Sequence, residues 1–292
     1  MDVNWVIFLI VVLNALAALW YARKSTSHVS KAGIFIVIIG AGLSYFLFPN
    51  YYGMVSLGLW LAVVIAPSVI TGRKRAAARA SELGYTQHTP ITKAIIALNI
   101  VAFAIQFFGS ATEDPEKLIN YGALYSPLLV EGEWWRLLSA QFLHLGLLHI
   151  ACNMIGLSVL GPFAEEALGW KWYLPAYLIC GASGMLIANA PYILHYSHTP
   201  MFLVGASAGV LGLVGITAGV LTRWYLWHRS PVAKSQLKSV AQIILLQMIF
   251  DSMVPEVSSS AHLGGAAIGY ILGLILAPRP ESLIPIRRPD GQ

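Results

Sequence analysis

Residues 203–212 read LVGASAGVLG, an apolar run that holds a single serine, Ser207, between small residues. A similar stretch, GASG, occupies residues 181–184 and carries Ser183. Small residues let membrane helices approach each other closely, so either serine can be a simple packing residue. A serine can also be a nucleophile, and the rest of the sequence has to distinguish the two roles.

The composition places both stretches in a membrane protein. Of the 292 residues, 57% are hydrophobic and only 11% are charged, whereas a soluble domain has about 25% charged residues. Apolar runs approaching the roughly 20 residues that a spanning helix needs recur along the chain. The sequence therefore predicts an all-α, multi-span integral membrane protein. The predicted spans are 4–21, 32–48, 54–71, 94–109, 142–161, 172–190, 202–222, 239–250 and 261–277.

A polar and basic segment at 72–90 divides these spans into two groups. We expect a three-span N-terminal unit over residues 1–71 and a six-span core over residues 91–278, with a short tail at 279–292. Between the first two spans of the core, residues 110–141 form the longest connection on the outer side.

The distribution of basic residues predicts the orientation. If the spans alternate in direction, only Lys117 and Arg136 of the 18 Lys and Arg residues lie on one side, which leaves 18 − 2 = 16 on the other. Basic residues concentrate on the cytoplasmic side. The segment 72–90 and the C-terminus are therefore predicted to be cytoplasmic, and the N-terminus outside. The net charge of +5 follows from this bias and requires no nucleic-acid partner.

Polar residues inside spans are energetically costly and mark candidate functional positions. The stretch FLHLGLLHIACNM (142–154) supplies His144, His149 and Asn153, and the last two share a helix face because they are four residues apart. The stretch SSAHLGGAAIGYILG (259–273) supplies His262. Three glycines follow it on the same side of the helix, which predicts that a neighbouring backbone packs there: Gly265, Gly269 and Gly273.

These residue types support acyl transfer by a serine. Ser207 needs a base to accept its proton, and His262, predicted at a similar depth, is the candidate. His149, Asn153 and the backbone N–H of Ser207 are candidate donors to the oxyanion of a tetrahedral intermediate. Because Asp251 is predicted to lie in the outer loop, no carboxylate is expected beside His262, and a Ser–His dyad is predicted.

With these residues in this order, the sequence resembles the rhomboid intramembrane serine proteases over roughly residues 90–278. The motifs that carry the resemblance are, in chain order, EWWRLLSAQFLH with Trp135 and Arg136, HLGLLHIACN with His144, His149 and Asn153, EEALG with Glu165 and Gly169, GAS with Gly205 and Ser207, and AHLGG with His262. Two positions depart from the usual family pattern, since Ala208 replaces a glycine and Leu211 replaces an aromatic residue.

The resemblance implies a six-helix rhomboid-like core, here preceded by three extra helices. It implies a serine endopeptidase with a Ser207–His262 dyad in a water-accessible cavity, and no cofactor or metal. His149, Asn153 and the Ser207 amide would form the oxyanion hole. The supporting residues would be His144, Trp135, Arg136, Glu165, Gly169 and Gly205. Substrates would be single-span or multi-span proteins of the lipid bilayer, cleaved near the outer face, most naturally in a bacterial plasma membrane.

Other functions fit the sequence less well. A catalytically inactive, client-binding relative of the rhomboids would typically lack the serine or the histidine, and it stays the main alternative. A transporter favours paired carboxylates and internal repeats. GASAG matches the G-x-S-x-G motif of soluble hydrolases, but that motif needs a strand–turn–helix context. A metalloprotease would need His-Glu-x-x-His, which the sequence lacks. Ser183 has no histidine on its helix, so a packing role is predicted for it.

Overall fold

The computed structural model describes residues 89–195, 197–251 and 257–276, apart from the side chains of Val232, Leu246, Ile249 and Phe250. The three predicted N-terminal spans, almost all of the predicted linker and the tail at 279–292 lie outside the described residues. The chain divides into two compact units, Met1–Gln87 and His88–Gln292. Everything described below belongs to the second unit.

The described residues are almost entirely helical. The elements are α1 (Pro90–Phe108), α2 (Pro115–Asn120), β1 (Leu124–Tyr125), α3 (Ser126–Val130), α4 (Arg136–Ser139), a 3₁₀ turn (Ala140–Phe142), α5 (Leu147–Ile193), β2 (Phe202–Leu203), α6 (Ser207–His228), α7 (Pro231–Asp251) and α8 (Ser259–Leu276). The predicted 110–141 connection is thus not an open loop, because it contains three short helices and a strand.

Four of the described helices are long and apolar enough to cross a membrane: α1, α5, α6 and α8. With 47 residues, α5 would measure about 70 Å if straight. It has non-helical backbone angles at Gly169 (φ 74°, ψ 163°), so the predicted spans 142–161 and 172–190 join end to end there. The described chain is a helical integral membrane structure, and the total number of spans stays a prediction.

Helix α6 lies at the centre, packed against α5, α7 and α8. The predicted glycine stripe lies on α8 and forms the contact between α8 and α6. A Cβ atom on Gly265 would collide with the carbonyl oxygen of Ala208, and one on Gly269 would collide with that of Gly212. On another side of α6, Gly209 faces the ring of Tyr177 on α5. Gly209 and Gly212 of α6 are therefore packing positions, and the glycines of α8 allow the backbones of α6 and α8 to approach closely.

The start of α6 differs from the prediction. The predicted span 202–222 places Ser207 about five residues inside a helix, whereas Ser207 is the first residue of α6. Residues 202–203 form β2, which pairs antiparallel with β1 through Leu124 and Leu203 and through Tyr125 and Phe202. Those residues are extended because the loop after α1 supplies a strand partner for them. The prediction of a helix over 202–206 is therefore wrong.

Candidate active site

Ser207 and His262 lie in hydrogen-bond contact. The Oγ of Ser207 is 2.7 Å from Nε2 of His262. The serine begins α6 and the histidine lies in the first turn of α8, so the close packing of these two helices brings together residues that are 55 positions apart in sequence. His262 is buried, while Ser207 is partly exposed. This pairing is the geometry that a serine nucleophile and its general base require.

Asp251 contacts the other ring nitrogen of His262. Its Oδ2 lies 2.8 Å from Nδ1 of His262, and its Oδ1 accepts a 2.7 Å hydrogen bond from Nε2 of Gln247. The predictions that Asp251 lies in a loop and that no carboxylate contacts His262 are therefore wrong. Asp251 is the last residue of α7, which begins at Pro231 rather than at 239. Its contacts with His262 and Gln247 compensate the burial of its carboxyl group.

A sequence signal for this contact exists. Gln247 and Asp251 are a polar pair four residues apart within an apolar stretch, which places both on one face of α7. The spacing does not show which neighbouring helix this face of α7 contacts.

Three donor groups surround the turn before Ser207. A Cβ atom on Gly205 would lie 2.6 Å from Nε2 of His149 and 3.6 Å from Nδ2 of Asn153, so both side chains border this turn. The Nδ1 of His149 accepts from the N–H of Leu145 at 3.4 Å, which leaves the hydrogen of a neutral ring on Nε2. As the first residue of α6, Ser207 has an N–H without an intrahelical acceptor.

His144 holds the same turn through a hydrogen bond. Its Nε2 accepts a 3.4 Å hydrogen bond from the N–H of Ala206, the residue before the serine. Its own backbone is held by the side chain of Gln106 on α1, which accepts from the N–H of His144 and donates to its carbonyl. The sequence prediction did not include Gln106, although an amide inside an apolar span is a visible signal.

Arg136 and Trp135 belong to the loop that carries β1. The guanidinium of Arg136 donates to the carbonyl oxygens of Ile119 at 2.6 Å and Ala123 at 2.9 Å, and it pairs with Glu133. It also stacks on the ring of Trp135, 4.6 Å from the ring centre. These contacts tie the loop together, and none of them involves Ser207 or His262.

Glu165 contacts the beginning of α1, and Gly169 lies at the break in α5. The buried carboxylate of Glu165 accepts from the N–H groups of Ile91 and Thr92 and from the hydroxyl of Thr92. It therefore caps the first turn of α1, where N–H groups have no intrahelical acceptor.

The GASG stretch has the environment of a packing site. A Cβ atom on Gly181 would collide with the side chain of Gln141, and one on Gly184 would collide with the carbonyl oxygen of Ala261. Gly184 is thus where the second half of α5 touches α8. Among the described residues, Ser183 has no hydrogen-bond contact with a histidine.

A comparison with known families matches residues 131–279 to the Rhomboid domain. The match covers half of the chain and contains both Ser207 and His262. The chain belongs to the rhomboid family. This confirms the resemblance found in the sequence.

Several rhomboid relatives are similar to this chain. RHOMBOID-like protein 5 of Arabidopsis thaliana is 35% identical over 165 residues, which cover 56% of this chain and 51% of the relative. Rhomboid protease GluP of Bacillus subtilis (strain 168) is 28% identical over 185 residues, 63% of this chain and 34% of the relative. Rhomboid protease AarA of Providencia stuartii is 28% identical over 210 residues, 66% of this chain and 74% of the relative. The chain thus spans about half of the first relative and a third of the second.

Proposed function

We propose that this rhomboid is an intramembrane serine endopeptidase that cleaves transmembrane protein substrates with Ser207 as nucleophile and His262 as base. The observation that carries the proposal is the 2.7 Å contact between Ser207 Oγ and His262 Nε2. Two relatives, GluP and AarA, carry the name rhomboid protease, which supports peptide-bond hydrolysis as the reaction. The family implies substrates that lie in the lipid bilayer.

The reaction follows from the contacts. Ser207 Oγ attacks the carbonyl carbon of the scissile peptide bond, and its proton moves to His262 Nε2. His262 then gives that proton to the leaving amine nitrogen as the C–N bond breaks, which leaves an ester on Ser207. Water attacks the ester, its proton passes through His262 to Ser207 Oγ, and the acid product leaves. No cofactor takes part in this sequence.

The negative charge on the tetrahedral intermediate needs hydrogen-bond donors. The N–H of Ser207, Nε2 of His149 and Nδ2 of Asn153 are proposed to supply them, because all three border the turn that carries the nucleophile. Ala208, which replaces the usual glycine, is buried: its backbone lies against Gly265 of α8, and its methyl group faces Gly184 of α5. The methyl group therefore packs between α6 and α5, and the replacement is compatible with the proposed oxyanion site.

The distribution of basic residues supports the proposed orientation, with the N-terminus outside and the C-terminus in the cytoplasm. With Ser207 at the outer end of α6, substrates would be cleaved near the outer membrane face. The proposal also includes that the membrane in which the protein lies is a bacterial plasma membrane.

Cleavage of a single-span reporter protein by the full chain in lipid vesicles tests the function. We expect the wild type and Ser183→Ala to cleave, Ser207→Ala to be inactive, and a chelator to have no effect. A fluorophosphonate probe should label the wild type at Ser207. A folded wild type that neither cleaves nor labels would favour the client-binding alternative, and activity that resides in Ser183 would overturn the assignment of the nucleophile.

A further inference from the structure

The contact between Asp251 and His262 adds a third group to the site. We propose that Asp251 is a positioning residue that holds His262 in the orientation and tautomer needed for catalysis, with Gln247 anchoring Asp251 in turn. The site would then be a Ser-His-Asp triad rather than the two-residue dyad that the sequence predicts. This inference rests on the proposed serine protease function.

Both nitrogens of the His262 ring are engaged. Nε2 faces Ser207 Oγ at 2.7 Å, and Nδ1 faces Asp251 Oδ2 at 2.8 Å. To accept the serine proton on Nε2, a neutral imidazole must carry its hydrogen on Nδ1. An ionised carboxylate can only accept hydrogen bonds, so its position at Nδ1 selects that tautomer.

The carboxylate is itself held from two sides. The side chain of Asp251 is 0% exposed. One oxygen faces His262, and the other accepts a 2.7 Å hydrogen bond from Gln247, one turn earlier on α7. This fixes the plane of the carboxylate, and through it the plane of the imidazole. A buried ion pair is a weak source of stability compared with an apolar pair of similar volume, so positioning explains the arrangement better than stability does.

The proton balance needs no further reactant. When Ser207 attacks, its proton moves to His262 Nε2, and the ring becomes an imidazolium that keeps its hydrogen on Nδ1. Asp251 stays ionised throughout and stabilises this cation by accepting the Nδ1–H hydrogen bond. On collapse of the intermediate the proton leaves from Nε2, and the Asp251–His262 contact is unchanged.

The test measures the rate at which a fluorophosphonate modifies Ser207 in the full chain, together with the histidine tautomer seen by ¹⁵N NMR. Asp251→Asn should slow modification by on the order of 10⁴-fold, the loss typical of a triad without its carboxylate. It should also deplete the Nδ1–H tautomer of His262, a signal assigned by its absence in His262→Ala. Asp251→Glu should restore a large part of the rate. Gln247→Met, which keeps the volume and removes the donor, should slow modification several-fold.

Glu165→Gln is the matched control, because Glu165 is a buried carboxylate that caps α1 and, in the described part of the chain, makes no hydrogen bond to Ser207 or His262. It should lower the melting temperature without changing the tautomer of His262. If the wild type is labelled and folded Asp251→Asn reacts at the same rate with the same tautomer, the role of Asp251 is overturned while the protease proposal stands. If Asp251→Asn does not fold, an unchanged rate together with an unchanged His262 tautomer in Gln247→Met overturns it. A folded wild type that is not labelled overturns both proposals.

Discussion

The side-chain amide nitrogen of Asn153 lies 3.6 Å from the point that a Cβ atom on Gly205 would occupy, and among the described residues it has no hydrogen-bond partner. A buried donor without an acceptor is costly. Beside the turn that carries Ser207, this unpaired donor is suited to an oxyanion that exists only during the reaction, so its contribution would be to the transition state rather than to the resting fold.

Asn153→Ala should therefore lower the cleavage rate by about 10²- to 10³-fold, the loss typical of one oxyanion donor, with little loss of stability. Asn189→Ala is the matched control, since Asn189 is also buried but already hydrogen-bonded to Ser126 and to the carbonyl of Met185. That change should reduce the melting temperature more than the rate. Initial cleavage rates and thermal unfolding of both variants distinguish the roles, and an Asn153→Ala enzyme with full activity would contradict the oxyanion assignment.

Arg136 is expected to act on stability. Its side chain is 7% exposed and holds two backbone carbonyls of the loop, so Arg136→Ala should destabilise the protein by about 2–4 kcal/mol, because those carbonyls lose their donors. Lys117→Ala removes a basic residue of the same loop whose ion pair is exposed, and it should cost less than about 1 kcal/mol. Thermal unfolding measures both, and mapping of the cleavage site checks specificity. An unchanged melting temperature with a shifted cleavage site would refute the structural role.

The N-terminal unit is expected to be dispensable for the chemistry. Every proposed catalytic residue belongs to the unit His88–Gln292, and the boundary between the two units falls within the predicted linker. A chain that begins near residue 80 should label at Ser207 and cleave the reporter at a rate within a few-fold of the full chain. The comparison uses equal concentrations of folded protein, judged by thermal unfolding. A truncated chain that folds and stays inactive would make the first three spans part of the active unit.

Short-range patterns predicted much of this site. The i, i+4 spacing of His149 and Asn153 places both on one face of α5. The Gly-x-x-x-Gly spacing after His262 predicts that a neighbouring backbone packs there, and in the structure that backbone is α6. Both patterns lie within a few turns of one helix, where sequence spacing translates directly into geometry.

The features that the sequence did not predict depend on contacts between residues that lie far apart in the chain. A two-residue strand such as β2 has no periodicity of its own, and it exists because β1, far away in the sequence, pairs with it. The contact of Asp251 with His262 likewise depends on where the last turn of α7 points, and the capping of α1 by Glu165 joins residues 73 apart. Propensity and spacing contain no information on such pairings, because tertiary packing determines them.

A substitution at Gly205 tests whether the turn before Ser207 requires a glycine. Its φ of 118° lies in a region that other residues rarely adopt, and a Cβ atom there would also meet the ring of His149. Gly205→Ala should cost about 1–3 kcal/mol from backbone strain alone and, by displacing His149, should lower the rate of Ser207 labelling by 10²-fold or more, as the loss of an oxyanion donor does.

Gly132→Ala separates the two effects. Gly132 has a similar φ of 105°, but a Cβ atom there would meet nothing within 4 Å. That variant should therefore show the loss of stability without the loss of labelling. Thermal unfolding and fluorophosphonate labelling of both variants, with wild type and Ser207→Ala as limits, measure the difference. If both variants lose labelling to the same extent relative to their stability, backbone strain rather than the contact with His149 explains why glycine occupies position 205.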